Sequence, residues 1–274
     1  MEFEELLTEI AAINKPWKPE QLRGLKSVSF GVNHAAGIRE DGTAVAVGDN
    51  SAGQLEVSAW TDLVQISCGK SHTVGLKRDG TVVAAGDNSD GQRNVQEWKD
   101  IVSIGTPYWQ TVGIRRDGTT VDVGYNYDGP NRHDLASYRN VVRVFAGSIH
   151  VLCLCADGMV MATGGYTFDP AINEHVYSQE CVTAGWHHIV DVACGKDHSV
   201  GLRADGALYA CGSGEDYGQW QVSDIKDAIR IGAVGSTTVI AHADGRLEAR
   251  GFYRYDSLRP ERGIRVFHSA ASTD

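Results

Sequence analysis

No run of lysine and arginine occurs in these 274 residues, and the formal net charge is −10. A protein that grips a nucleic-acid backbone wants a basic face, so nucleic acid is not an expected partner. No stretch approaches the roughly 18–20 apolar residues that span a bilayer, so no membrane role is expected. The acidic opening MEFEELLTEIAAIN lacks a basic n-region and does not read as a secretory signal. The expectation is a soluble, cytoplasmic chain. Proline is scarce at six residues while glycine reaches 32, a balance that speaks for many tight turns rather than a Pro-rich disordered chain. Six cysteines form no disulfide framework: Cys153 and Cys155 sit two apart in VLCLC, an unfavourable spacing on one strand. Cys68 and Cys194 hold one register in separate repeats, so buried thiols are expected. A hydrophobic share of 42% allows a sizeable core, and the length alone allows one large domain or two small ones.

What is abundant is repetition. From residue 68 the chain reads CGKSHTVGLKRDGTVVAAGDN, and from residue 194 it reads CGKDHSVGLRADGALYACGSG. Asp-Gly recurs as Asp41-Gly42, Asp79-Gly80, Asp117-Gly118, Asp157-Gly158, Asp205-Gly206 and Asp244-Gly245, at intervals of 38, 38, 40, 48 and 39 residues. A period of this size marks a repeat architecture. Asp-Gly is expected to supply the positive φ angles of a tight hairpin turn. Strand-like segments flank it: HTVGLKR before and TVVAAG after in the second copy, with LVQISCG ahead of both. Apolar residues alternate in that first strand, as Val64, Ile66 and Cys68 do, so one face is buried.

Each repeat is thus a small antiparallel sheet that is too small to stand alone. A ring of such sheets leaves only short protected edges, so the expected fold is an all-β β-propeller. Gly37, Gly75, Gly113 and Gly201 recur at one site of the second strand, where a missing side chain would let adjacent blades approach. Six complete repeats begin near 25, 63, 101, 141, 189 and 228 within a single domain over 25–274, preceded by a lead-in over 1–24. A seventh copy of the first strand at 263–268 either closes the ring or begins a further blade, which leaves six or seven blades open. Phe3, Leu6, Leu7, Ile10 and Ile13 share one face of a predicted short N-terminal amphipathic helix. That helix is read either as a cap over the propeller or as a partner-docking element.

Gly69, His72, Asp79, Gly80, Gly86, Asn88, Gly91 and Gln92 carry a pattern that resembles the RCC1 (regulator of chromosome condensation) repeat. The resemblance covers roughly residues 25–268 and six copies, whose short length is most similar to compact bacterial RCC1-like propellers, a group that includes a secreted inhibitor of β-lactamases. It implies a propeller, commonly of seven blades in that family. Photoreceptor members carry a G-W-R-H-T motif, but Val32, Lys70, Ser148 and Lys196 follow the equivalent glycines here, which disfavours light sensing. Exchange-factor members act through one propeller face and a wedge, which the 168–185 insertion is placed to imitate. Chromatin-binding members rely on basic loops that this acidic chain does not offer.

His34, His72, His150 and His198 share one repeat position, with Gln110 and Thr237 in the other two copies. A residue repeated around a ring solves a local packing problem once per blade, so these histidines and the turn aspartates are read as structural. Function is expected where the repeats break their pattern. The third copy reads TPYWQ where others read CGKSH, bringing Tyr108 and Trp109, then Tyr125 and Tyr127. The fourth carries about ten extra residues, with Phe168, His175, Tyr177 and Trp186 in and beside them, and as a ring neighbour it is expected to join the same patch. Aromatic side chains on loops dominate protein–protein hot spots. His175, Cys181, His187 and His188 match no compact zinc pattern, and no metal or cofactor is expected. No P-loop, nucleophile elbow or Ser-His-Asp set appears. The expected function is that of a monomeric, non-enzymatic scaffold or adaptor binding a protein partner. The alternatives are a regulator, either an enzyme inhibitor or a nucleotide-exchange factor for a small GTPase, and a hydrolase or metalloenzyme using the 175–188 histidines.

Overall fold

In a computed structural model of the chain, the described residues are 3–12, 15, 17–125, 135–148, 150–164, 166–169, 174–177, 182–212, 217–251 and 264–267. Their strands group, in chain order, into six antiparallel sheets built on three-strand meanders. The first sheet holds β1 (Ser27–Phe30), β2 (His34–Ile38) and β3 (Ala44–Gly48). The second holds β4 (Leu63–Cys68), β5 (His72–Lys77) and β6 (Val82–Gly86). The third holds β7 (Ile101–Gly105), β8 (Gln110–Arg115) and β9 (Thr120–Gly124). The fourth holds β10 (Val141–Ala146), β11 (His150–Cys155) and β12 (Val160–Gly164). A two-stranded hairpin follows, β13 (Tyr166–Asp169) with β14 (Glu174–Tyr177). The fifth holds β15 (Ile189–Cys194), β16 (His198–Arg203) and β17 (Leu208–Gly212). The sixth holds β18 (Ala228–Val234), β19 (Thr237–His242) and β20 (Leu247–Gly251). A last strand, β21 (Ile264–Phe267), lies parallel to β20 as a fourth member of that sheet.

The Asp-Gly turns differ in detail from the expectation that Asp-Gly supplies the positive φ angles. Only the glycine is left-handed: Gly42, Gly80 and Gly118 have φ of 81°, 83° and 79°, whereas the aspartates have ordinary negative φ. Gly42 N donates to Arg39 O, and Arg39 N donates to Thr43 O, enclosing a three-residue loop with the glycine at its left-handed position. The aspartate acts through its side chain. Asp41 Oδ1 accepts from Thr43 N at 2.9 Å and Thr43 Oγ1 at 2.7 Å, and Asp79–Thr81 and Asp117–Thr119 repeat the arrangement. Those hydroxyl bonds hold all three carboxyls below the usual range.

The recurrent second-strand glycine also has a different partner from the one expected. A methyl group on Gly113 or Gly201 would lie within 3.0 Å of the indole of Trp98 or Trp186, and one on Gly75 would lie 3.0 Å from Trp60. These tryptophans come from the connector that leads into the same repeat, so the glycine seats an indole rather than a neighbouring blade.

Two compact units result: residues 14–146, and residues 147–274 together with 1–13. In the first, Ala36, Ile38 and Ala44 pack against Leu63, Ile66 and Cys68 of the next sheet. Val74, Leu76 and Val82 meet Trp98, Ile101 and Ile104 in the same way. In the second, Leu202, Leu208 and Val200 pack against Ala228, Ile231 and Ile240. There the helix α1 (Phe3–Ala11) lays Phe3, Leu6 and Ile10 on Val239, Ala241 and Ala249 of sheet six. Those three positions correspond to Ala36, Ile38 and Ala46 of sheet one. A helix therefore covers a face that a strand covers elsewhere, each buried side chain contributing about 1.5–3 kcal/mol. The apolar face of α1 is used within the chain.

Candidate functional site

The four repeat histidines are fully buried and tie successive sheets together within each unit. His34 Nε2 lies 3.0 Å from Thr73 Oγ1, and His72 Nε2 lies 3.1 Å from Thr111 Oγ1. His150 Nε2 lies 3.0 Å from Ser199 Oγ, and His198 Nε2 lies 2.9 Å from Thr238 Oγ1. Thr73, Thr111 and Thr238 donate their hydroxyl protons onward to the carbonyls of Gln54, Gln92 and Gln219. Each hydroxyl must then accept, which assigns the imidazole proton to Nε2. Among the described residues the buried Nδ1 atoms of His34, His72 and His198 have no hydrogen-bond partner. Such a ring is best neutral, and burial pushes His34 and His72 down to about 4 and His198 down to about 3.

A second rule accompanies the first. Gly31, Gly69, Gly147 and Gly195 stand three residues before the four histidines, and a methyl on any of them would fall within 3.0 Å of the ring. Where Gln110 and Thr237 replace histidine, Pro107 and Val234 replace the glycine. The histidines are thus joints of the scaffold.

The break in sheet three assembles an aromatic cluster. Tyr108 and Trp109 have ring centroids 5.0 Å apart and tilted by 58°; Trp109 and Tyr125 are 6.3 Å apart and nearly perpendicular. Tyr125 is 41% exposed, and the other two are half-buried. Lys70, from the loop between β4 and β5, places Nζ 4.5 Å from the Trp109 ring centroid. Backbone bonds hold the group: Lys70 N donates to Tyr108 O at 2.8 Å, and Tyr125 N donates to Trp109 O at 3.1 Å. Below it Gln110 Nε2 donates to Asp122 Oδ2 at 2.9 Å, at a β9 position that is Ala46 or Ala84 in other repeats. Lys70 and Asp122 escape a reading from sequence. The only signal for Asp122 is a lone carboxylate in an alanine column.

Tyr108 adopts φ of +26°, and the residue at the same repeat position in sheet six is Gly235 at +55°. Gly235 O accepts from Lys196 N at 2.7 Å, the counterpart of the Lys70–Tyr108 bond. The joint thus asks for a left-handed residue in both repeats. Glycine adopts that conformation freely, whereas a side-chain-bearing residue gives up about 1–2 kcal/mol.

Trp186 is 4% exposed, packs on Gly201 and stacks on Tyr209 at 5.9 Å, so burial removes it from a surface role. Phe168 and His175 lie opposite each other in the β13–β14 hairpin, with Tyr177 opposite Tyr166, in the other unit from the cluster. Tyr127 lies outside the described residues. His188, at φ +58°, occupies the left-handed lead-in position that Asp62, Asp100 and Asn140 hold in other repeats. His187 Nδ1 faces His188 Nδ1 at 3.0 Å. Among the described residues no three His, Cys, Asp or Glu side chains converge as a metal site, and Cys181 lies outside that set. No helix among them is long and apolar enough to cross a membrane.

Residues 25–54, 63–92 and 189–219 match the sequence profile of the "Regulator of chromosome condensation (RCC1) repeat". At these three positions the chain carries RCC1 repeats. The sheets that the match leaves out repeat the same meander and the same Asp-Gly turn. Protein pim1 of Schizosaccharomyces pombe is 26% identical in a match that spans 41% of this chain and 27% of that protein. Among solved structures, the CRINKLY WD40 ectodomain of the Arabidopsis thaliana receptor kinase ACR4 is similar, with a TM-score of 0.63 and 15% identity over 84% of this chain and 82% of that one. Yeast RCC1 (Prp20), solved bound to Kap60, gives a TM-score of 0.58 and 17% identity over 83% of this chain and 70% of that one. The fold is that of an RCC1-like β-propeller. In RCC1-repeat terms, the aromatic cluster occupies the stretch where the third copy loses the glycine and histidine of the motif. Burial pushes the Cys68 and Cys153 thiols up to about 12, which makes both poor nucleophiles.

Proposed function

We propose that this chain is a non-enzymatic protein-interaction module whose partner contacts Tyr108, Trp109 and Tyr125. The observation that carries the reading is Tyr108. A side chain is kept at a left-handed position that glycine fills in sheet six, which costs the fold and displays an aromatic cluster. Tyr and Trp are the residues in which interface energy concentrates. The yeast neighbour, solved with a protein partner, supports the same class of role. The β13–β14 hairpin, with Phe168, His175 and Tyr177, is a second candidate contact. Being an insertion between sheets, it favours a regulator as the runner-up, and a change in a partner's turnover or nucleotide release would select that reading over a scaffold.

Capture from a lysate of the source cell tests the proposal, using wild type beside the Tyr108→Ala, Trp109→Ala, Tyr125→Ala triple variant. A protein retained by the wild type is expected to drop at least tenfold on the variant, with the circular dichroism spectrum unchanged. Equal retention by both would remove the cluster from the interface.

A further inference from the structure

The aromatic cluster already holds a cation, and the chain supplies it. Lys70 Nζ sits over the Trp109 ring, and among the described residues it forms no ion pair. An ammonium group has three donors and is strongly hydrated. At 4.5 Å from the Trp109 centroid it lies within the roughly 6 Å over which a ring face attracts an ammonium. Two tyrosine rings stand beside the same indole at 5.0 and 6.3 Å, one tilted and one edge-on. These neighbouring rings offer further aromatic surface to a positive group that rests on Trp109. The chain as a whole carries −10, which attracts basic segments and repels acidic ones.

We infer that Tyr108, Trp109 and Tyr125 receive a cationic side chain, arginine or alkylated lysine, from a basic segment of a protein partner, and that Lys70 is its displaceable stand-in. This rests on the interaction surface proposed above and gives it a chemistry. Lys70 then competes with the guest. Removing it strengthens binding, although an ordinary contact residue would weaken binding when removed. A cation on an exposed aromatic face is worth a factor of about two to five.

The test uses a 12-residue basic peptide with a central trimethyl-lysine, and the same peptide with the uncharged tert-butyl analogue, in which carbon replaces nitrogen. The full chain is expected to bind the charged peptide more tightly than the neutral one. Lys70→Met should raise the affinity for the charged peptide about two- to fivefold, while Lys196→Met, which removes the same charge at the same position of another repeat, should leave it unchanged. Trp109→Ala should abolish the preference, and Trp109→Phe, which preserves a ring, should retain part of it. Equal binding of the two peptides, weaker binding by Lys70→Met, or no binding of the charged peptide would overturn the inference. So would binding of an uncharged proline-rich peptide at Trp109 without any response to the charged one. If the triple variant still loses a captured protein in any of those cases, the interaction surface stands and only the cationic guest falls.

Discussion

Between pH 6.5 and pH 4 the protein is expected to lose most of its stability. His34, His72 and His198 are buried as neutral rings, with their pKa values pushed from 6.5 down to about 4, 4 and 3, chiefly by desolvation. In the unfolded chain they take up protons below about 6.5. The unfolded state therefore binds more protons than the folded one throughout that window, and stability falls as the pH falls. Each unit of displacement is worth about 1.4 kcal/mol. Even half the displacement at three sites amounts to several kcal/mol, a large share of the roughly 5–15 kcal/mol that holds a typical domain. The turn aspartates, with lowered pKa values, contribute stability that is lost only below about pH 4, under the histidine window. Urea midpoints measured at pH 7.5, 6.5, 5.5 and 4.5 should hold steady between the first two and then drop steeply. A midpoint unchanged down to pH 5 would show that the rings are not neutral joints.

Gly69→Ala should be strongly destabilising. The new carbon would press on the His72 ring and lie 2.9 Å from Tyr108 O. Overpacking of this kind costs roughly 1–3 kcal/mol. His72→Gln alone should cost about 1–3 kcal/mol by weakening the bond to Thr111 and leaving a buried polar group poorly paired. The two changes together should cost less than their sum by at least 1 kcal/mol, because the third repeat already combines Gln110 with Pro107. Urea unfolding of both single variants and the double variant gives the coupling directly. Strictly additive costs would mean that glycine and histidine are not one device.

Much of this was legible in the chain because the repeat chemistry is local. Asp-Gly at a steady interval signals a turn between strands, and one histidine per repeat signals a packing joint rather than an asymmetric site. The conformation of the turn was not legible in the dipeptide, since a three-residue loop leaves the aspartate in an ordinary conformation and only the glycine left-handed. Trp186 borders the irregular insertion, yet Trp60, Trp98 and Trp186 all stand three residues before a first strand, at Leu63, Ile101 and Ile189. That spacing marks it as a repeat residue. Glycine three before histidine, and its loss with histidine, was equally on view. By contrast, Lys70 reaches Trp109 only because two sheets pack side by side, and the face that α1 covers is set by tertiary contact alone. The break at TPYWQ was visible as a loss of pattern. The strain in Tyr108 needed the backbone.

Tyr108→Gly tests most directly whether the repeats serve the fold and their breaks serve binding. Glycine is the residue that sheet six uses at this left-handed position. The substitution should therefore raise the unfolding free energy in urea by about 1 kcal/mol while weakening retention of the partner. A loss of stability on Tyr108→Gly would contradict the account, because it would show that the tyrosine is there to pack the fold.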